Sequence, residues 1–185
     1  MKITPTAIAD VLVLEPKVFG DERGFFMESF NQRAFNDAVG HEVVFVQDNH
    51  SRSAKGVLRG LHYQLPPHAQ GKLVRVTQGA VFDVIVDIRH GSANFGRWVG
   101  FELSEHNHKQ VWVPPGMAHG FLVLSASADF QYKTTNYHAL QAERSLSWCD
   151  ARLAIVWPDV GMAPVLSAKD AAAPSLADLE KNVSL

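Results

Sequence analysis

Hydrophobic residues in this chain come in short runs, closely spaced and separated by Gly, Pro and Asn. The runs are Ile8–Leu14, Glu42–Gln47, Val57–Gln64, Leu73–Thr77, Ala80–Ile88, Arg97–Leu103, Gln110–Val113, Gly120–Leu124, Ala128–Thr134 and Ser145–Trp148. Runs this short and regular, with turn residues between them, predict an all-β sandwich or barrel. Gln78-Gly79 and Pro114-Pro115-Gly116 are the clearest turn signals. Two stretches read as helix instead. Phe30, Ala34, Phe35 and Ala38 recur at helical spacing, with Gly40 placed to end the helix. Ser175-Leu176-Ala177-Asp178 has the capping-box form ahead of Leu179, which predicts a helical tail over about 174–185. With no repeat or linker, the pattern predicts one all-β domain over 1–185 with short peripheral helices.

Composition narrows the functional classes. The chain has 185 residues, 46% of them hydrophobic and 19% charged, with a net charge of -2. That balance suits a folded protein and gives no basic face for nucleic acid. No apolar run reaches the roughly 18 to 20 residues of a membrane span, and no signal-peptide pattern opens the chain. The single cysteine, Cys149, follows Trp148 at the end of a strand-like run, so a buried structural thiol in a reducing cytoplasm is expected.

The segment Pro114-Pro115-Gly116-Met117-Ala118-His119 has the P-x-G-x-x-H form found in the second half of cupin barrels. The first half of such barrels normally supplies further metal-ligating histidines, but here it reads His62-Tyr63-Gln64. His62 and His119 alone fall short of the usual three protein ligands, so no catalytic metal is expected.

Other positions carry possible chemistry. His62 sits inside an apolar strand run, where a histidine is either a satisfied core residue or a site residue. Lys72 shares strand parity with Val74 and Val76, so it either snorkels from a strand end or is buried for a reason. Tyr132 alternates with Phe130 and Thr134 and is expected to face the interior. Arg59 has the opposite parity to His62, and the two can share a pocket only if the strand bulges at Gly60. His41, His68, His90, His106, His108 and His138 lie in polar turn-like stretches and are expected to be solvated. Gln47-Asp48-Asn49 reads, by itself, as a turn after a strand.

Seven segments in register extend this reading: Asp21–Phe26, Arg59–Gln64, Gly71–Val74, Gly79–Val84, Pro114–Phe121, Tyr132-Lys133 and Leu166–Asp170. Together they resemble the dTDP-4-dehydrorhamnose 3,5-epimerase family from about residue 3 to residue 180. The resemblance implies an all-β, cupin-like jelly-roll barrel or sandwich with short peripheral helices, which dimerises and uses no cofactor. It implies that His62 is the general base, Tyr132 the proton donor, Asp170 the carboxylate orienting the histidine and favouring its protonated form, and Lys72 the group beside a ketone oxygen. Arg59 and His119 then correspond to contacts in the sugar–diphosphate region, and Arg23, Glu28, Gln47, Asp48, Asn49, Glu143 and Lys169 to further nucleotide-sugar contacts. Arg23 and Glu28 would reach the neighbouring subunit's pocket. The implied reaction inverts carbons 3 and 5 of dTDP-4-keto-6-deoxy-D-glucose. Three alternatives remain: a single-centre epimerase or ketoisomerase on a related 4-keto sugar, a metal-dependent cupin oxygenase, and a non-catalytic sugar-nucleotide-binding module.

Overall fold

A computed structural model describes residues 1–182. Short strands dominate. In chain order they are β1 (Lys2–Pro5), β2 (Leu12–Glu15), β3 (Val18–Asp21), β4 (Gly24–Met27), helix α1 (Gln32–Val39), β5 (Gln47–Ala54), β6 (Leu58–Gln64), β7 (Lys72–Gln78) and β8 (Ala80–Asp87). They continue with β9 (Trp98–Ser104), β10 (Gln110–Val113), β11 (Met117–Val123), β12 (Ser127–Thr134), β13 (Glu143–Ser145), α2 (Ala168–Ala171) and α3 (Leu176–Asn182). Two antiparallel sheets form, one ordered β1-β2-β10-β7-β12-β5 and the other β13-β6-β11-β8-β9, with β3 and β4 as a separate hairpin. The architecture is the expected all-β, cupin-like jelly roll.

The core between the sheets comes from alternation along each strand. Val74 and Val76 from β7 meet Val81 and Ile85 from β8, Phe121 from β11 and Phe130 from β12. The opposite parity builds the outer layers. Val84 and Val86 turn outward from β8 to pack Leu146, Leu153 and Leu176 of the C-terminal segment. Leu73 and Trp112 turn outward from the first sheet onto Phe35 of α1. The α1 helix is capped as its sequence predicts: Asn31 accepts from the Ala34 amide at 3.0 Å, and Gly40 closes it in the left-handed conformation. Ser175 and Asp178 exchange the two reciprocal bonds of a capping box at the start of α3. The expected tail to residue 185 is helical through Asn182, and 183–185 lie outside the described residues.

Several boundaries differ from the sequence reading. The expected strand Glu42–Gln47 is irregular up to Val46, and β5 begins at Gln47 instead. Val43 and Phe45 are apolar because they pack against the α1 layer, not because they pair in a sheet. Gln47-Asp48-Asn49 is accordingly strand and not turn. The Ile8–Leu14 run holds strand only from Leu12, its buried Ile8 and Val11 being joined by a turn in which the Val11 amide bonds the Ile8 carbonyl. The Ser145–Trp148 run pairs at its front end, as Glu143–Ser145 against β6. Cys149 is exposed, contrary to expectation, because the chain turns outward after Leu146.

Candidate active site

Chemistry-bearing side chains converge where the two sheets face one another at one end of the barrel. A cleft of about 110 Å³ is lined by Gln47 and Asn49 of β5, His62 of β6, Lys72 of β7, Tyr132 of β12 and Glu143 of β13, with Tyr63, Gln64, Gln70 and His138. His62 comes from the second sheet and Tyr132 from the first, so imidazole and phenol stand on opposite walls.

The strand carrying His62 is irregular at the position its glycine suggested. Gly60 has φ +131, and the β6–β11 register shifts between the pairs His119–His62 and Phe121–Arg59. A Cβ on Gly60 would lie 2.5 Å from the Gly120 Cα and 2.9 Å from the His119 carbonyl oxygen. Only glycine tolerates both the close approach and that φ. The irregularity lets Arg59 turn toward the buried Ser53 of β5, to whose Oγ its Nε donates at 2.9 Å, although the residue stays exposed and does not line the cleft.

His62 is held by a carboxylate from the far end of the chain. Its Nε2 lies 2.5 Å from Oδ1 of Asp170, which is 3% exposed and fixed in α2 by the hydrogen bond its backbone N–H donates to Ser167 Oγ. A carboxylate accepts, so Nε2 carries the hydrogen and Nδ1 keeps its lone pair. Burial pulls the His62 pKa down, and this outweighs the hydrogen bond and charge of Asp170, with Lys169 and Lys72 adding to the fall. The expectation that Asp170 favours the protonated form therefore holds for its own contribution only. On balance the imidazole rests neutral, as a base must.

Lys72 is 8% exposed, and its Nζ donates to the His62 carbonyl oxygen at 3.3 Å. Burial lowers its pKa to about 8, partly offset by the charges of Asp83 and Glu143. It is still a cation at neutral pH. Burial raises the Tyr132 pKa, opposed by Arg59 and reinforced by Glu143, so the hydroxyl keeps its proton. The cleft thus sets a neutral imidazole and a protonated phenol around a buried ammonium.

The remaining expected residues divide. Glu143 lines the cleft; burial would raise its pKa, but the Lys169 hydrogen bond and the charges of Lys169, His62 and His138 bring it below the usual range. Lys169 forms the rim through its 3.0 Å ion pair with Glu143. His119 is inside the barrel, bonded to Asp83. Asp48 is not in the cleft: its parity on β5 is opposite to Gln47 and Asn49, and it pairs with Lys133 on the outer face. Arg23 and Glu28 do not line the cleft either, belonging to the exposed hairpin region where Arg23 pairs with Asp21 and Glu28 with Asn31.

Sequence reasoning missed some participants. His138 is exposed as expected, yet it lies 3.8 Å from Glu143 at the cleft, which its turn-like setting did not suggest. Gln64, considered only as a missing metal ligand, spends its amide on the backbone: it donates to the His68 and Tyr137 carbonyls and accepts from the Ala139 amide. That side chain fastens the 137–139 loop to the mouth. Ser53 and Asp83 were also missed, although strand parity with Val81 and Ile85 would have put Asp83 on the inner face. Among the described residues, no group of three or more His, Cys, Asp or Glu is placed to hold a metal ion.

Comparison with known proteins shows the family to which the chain belongs. Residues 5–178 match the family model described as dTDP-4-dehydrorhamnose 3,5-epimerase. A protein of that name from Shigella flexneri is 61% identical over 92% of this chain and 93% of its own length. One from Pseudomonas aeruginosa is 59% identical over 97% of this chain and 98% of its own. The crystal structure of the dTDP-6-deoxy-D-glucose-3,5-epimerase of Legionella pneumophila, in complex with dTDP-4-keto-L-rhamnose, superposes with a TM-score of 0.94. It is 53% identical, covering 98% of this chain and 96% of that one.

Proposed function

Because the chain belongs to the dTDP-4-dehydrorhamnose 3,5-epimerase family, we propose that His62, Tyr132 and Lys72 are the groups that carry its reaction. The protein is an isomerase that converts dTDP-4-keto-6-deoxy-D-glucose to dTDP-4-keto-L-rhamnose in dTDP-L-rhamnose biosynthesis. The observation that carries the assignment of roles is the Asp170–His62 pair facing Tyr132 and Lys72 across one cleft.

The ketone at carbon 4 acidifies the hydrogens on carbons 3 and 5, since the electron pair left behind delocalises onto the ketone oxygen. Nδ1 of His62 takes the proton, and Asp170 stabilises the imidazolium that results. The enolate oxygen develops its charge beside the Lys72 ammonium. A preorganised donor of that kind is typically worth roughly 3 to 4 kcal/mol. Tyr132 delivers a proton from the opposite wall, inverting the centre, and recovers its own from solvent. Acid–base groups of this type contribute roughly 100-fold to 10,000-fold each. No step calls for a redox or metal group.

The nucleotide handle is assigned to Arg59, His119, Gln47, Asn49, Glu143 and Lys169, with Arg59 offering its fork of donors to the diphosphate. Asp48 faces the other way and is left out. Arg23 and Glu28 reach the pocket of a partner in a homodimer. The exposure of Phe19 (53%), Phe25 (61%) and Phe26 (71%) on the β3–β4 hairpin supports such an interface. The reading treats 1–185 as one domain at work in the cytoplasm; among the described residues no helix is long and apolar enough to cross a membrane.

Incubation with dTDP-4-keto-6-deoxy-D-glucose in deuterated water tests the reading. Proton NMR should show deuterium at both carbon 3 and carbon 5. Deuterium at one carbon alone would replace the double epimerase with a single-centre enzyme.

A further inference from the structure

The carboxylate of Asp83 is the charged group of the barrel interior that the reaction scheme leaves unused. It lies on β8 between Val81 and Ile85, on the face turned to the core, and is 0% exposed. Its Oδ2 accepts a hydrogen bond from Nε2 of His119, 2.8 Å away on the neighbouring strand β11. Its Oδ1 is buried with no hydrogen-bond partner among the described residues. A carboxylate in that position is costly unless cations answer it, and an apolar side chain would fill the space at less cost. A cation is at hand, since Lys72 is buried in the same interior, and the His119 ring donates to the carboxylate directly.

We infer that Asp83 is a positioning residue for the epimerisation: it fixes the His119 ring with the hydrogen on Nε2 and is the buried counter-ion that keeps the Lys72 ammonium charged beside the substrate ketone. The inference rests on the catalytic roles given above. Among the anions acting on Lys72, Asp83 raises its pKa most, and the balance with burial leaves that pKa at about 8, within reach of neutrality. The charged and titratable groups facing this interior are Arg59 and His62 of β6, His119 of β11, Tyr132 of β12, Glu143 of β13 and Lys169 of α2, besides Asp83 itself. Of these, only Asp83 and Glu143 favour the charged ammonium, and Glu143 is shared with Lys169.

Asp83→Asn keeps the size and the ability to accept from His119 while removing the charge. The profile of kcat/KM against pH, taken from about pH 6 to about pH 9.5, should then lose its alkaline plateau about one pH unit earlier than in the wild type. At pH 8 this makes the variant about fivefold slower, and at pH 9 the gap approaches tenfold. A uniform loss at every pH, or an unmoved alkaline limb, overturns the inference. Wild-type protein without epimerase activity overturns the catalytic reading instead. Should the variant not fold, nitrogen-15 NMR of the wild type decides the matter. A hydrogen on Nε2 of His119 upholds the arrangement, and one on Nδ1 alone overturns it.

Discussion

At the scale of single residues, protonation decides which state of the cleft can react. His62 must be neutral to accept a proton, and Lys72 must be charged to hold an enolate. Burial moves both pKa values downward, the first below its ordinary 6.5 and the second to about 8. The sign is therefore opposite at the two ends. Activity falls as acid protonates His62, at a pH under 6.5, and falls again as base discharges Lys72 near pH 8. A bell-shaped kcat/KM profile with those limbs is expected from initial rates across pH. Activity rising steadily through pH 9 would remove Lys72 from its assigned role. At this scale the sequence was partly legible. Parity placed Tyr132 inward with Phe130, which the core packing bears out. It put Lys72 on the face of Val74 and Val76 without deciding between burial and snorkelling, and its 8% exposure decides for burial. The Asp170–His62 pair spans 108 positions, so periodicity cannot suggest it and only the family resemblance did.

At the scale of elements, the site depends on strands that break the ordinary rules of their type. β6 presents both Arg59 and His62 because its pairing with β11 shifts at Gly60, a position where a Cβ would collide with backbone on the neighbouring strand. Backbone cannot yield as a side-chain tip can, and the φ of +131 is itself unsuited to alanine. Gly60→Ala should cost about 3 kcal/mol or more, read as a lowered urea midpoint, and should depress activity beyond the loss of folded protein. An unchanged midpoint would show that the shift is not needed. The sequence exposed this element through the parity conflict of Arg59 and His62. It hid β5, whose Gln47, Asn49 and Ser51 point inward yet are polar because they border the cleft and its surroundings. A strand that lines a polar site has no apolar alternation to reveal it. The β3–β4 hairpin was hidden for the opposite reason. Its Phe19, Phe25 and Phe26 are apolar but exposed in the single chain, so no in–out pattern marks them.

At the scale of the whole molecule, short regular runs sufficed to predict an all-β sandwich or barrel, and the Pro114–His119 segment with the family resemblance narrowed it to a cupin-like jelly roll. The order of strands was not legible, since β7 pairs with β10 and β12 and with neither of its neighbours in sequence. Those long-range pairings bring β5, β6, β7, β12 and β13 to one cleft. The exposed hairpin sets an expectation about assembly. Light scattering should report about twice the 20.4 kDa chain mass. Replacing Phe25 and Phe26 together by serine should yield monomers with a raised KM, because Arg23 and Glu28 would no longer reach a second subunit's substrate. A wild-type monomer with full activity would refute that arrangement.

The central claim is that one imidazole removes the substrate's protons and one phenol returns them from the other side. Washing-in of solvent deuterium at carbons 3 and 5 of the keto-sugar, followed by NMR for the wild type, His62→Ala and Tyr132→Phe, tests it most directly. The account predicts no exchange at either carbon for His62→Ala, and residual exchange with little inverted product for Tyr132→Phe. Exchange of both hydrogens by His62→Ala at the wild-type rate would contradict it.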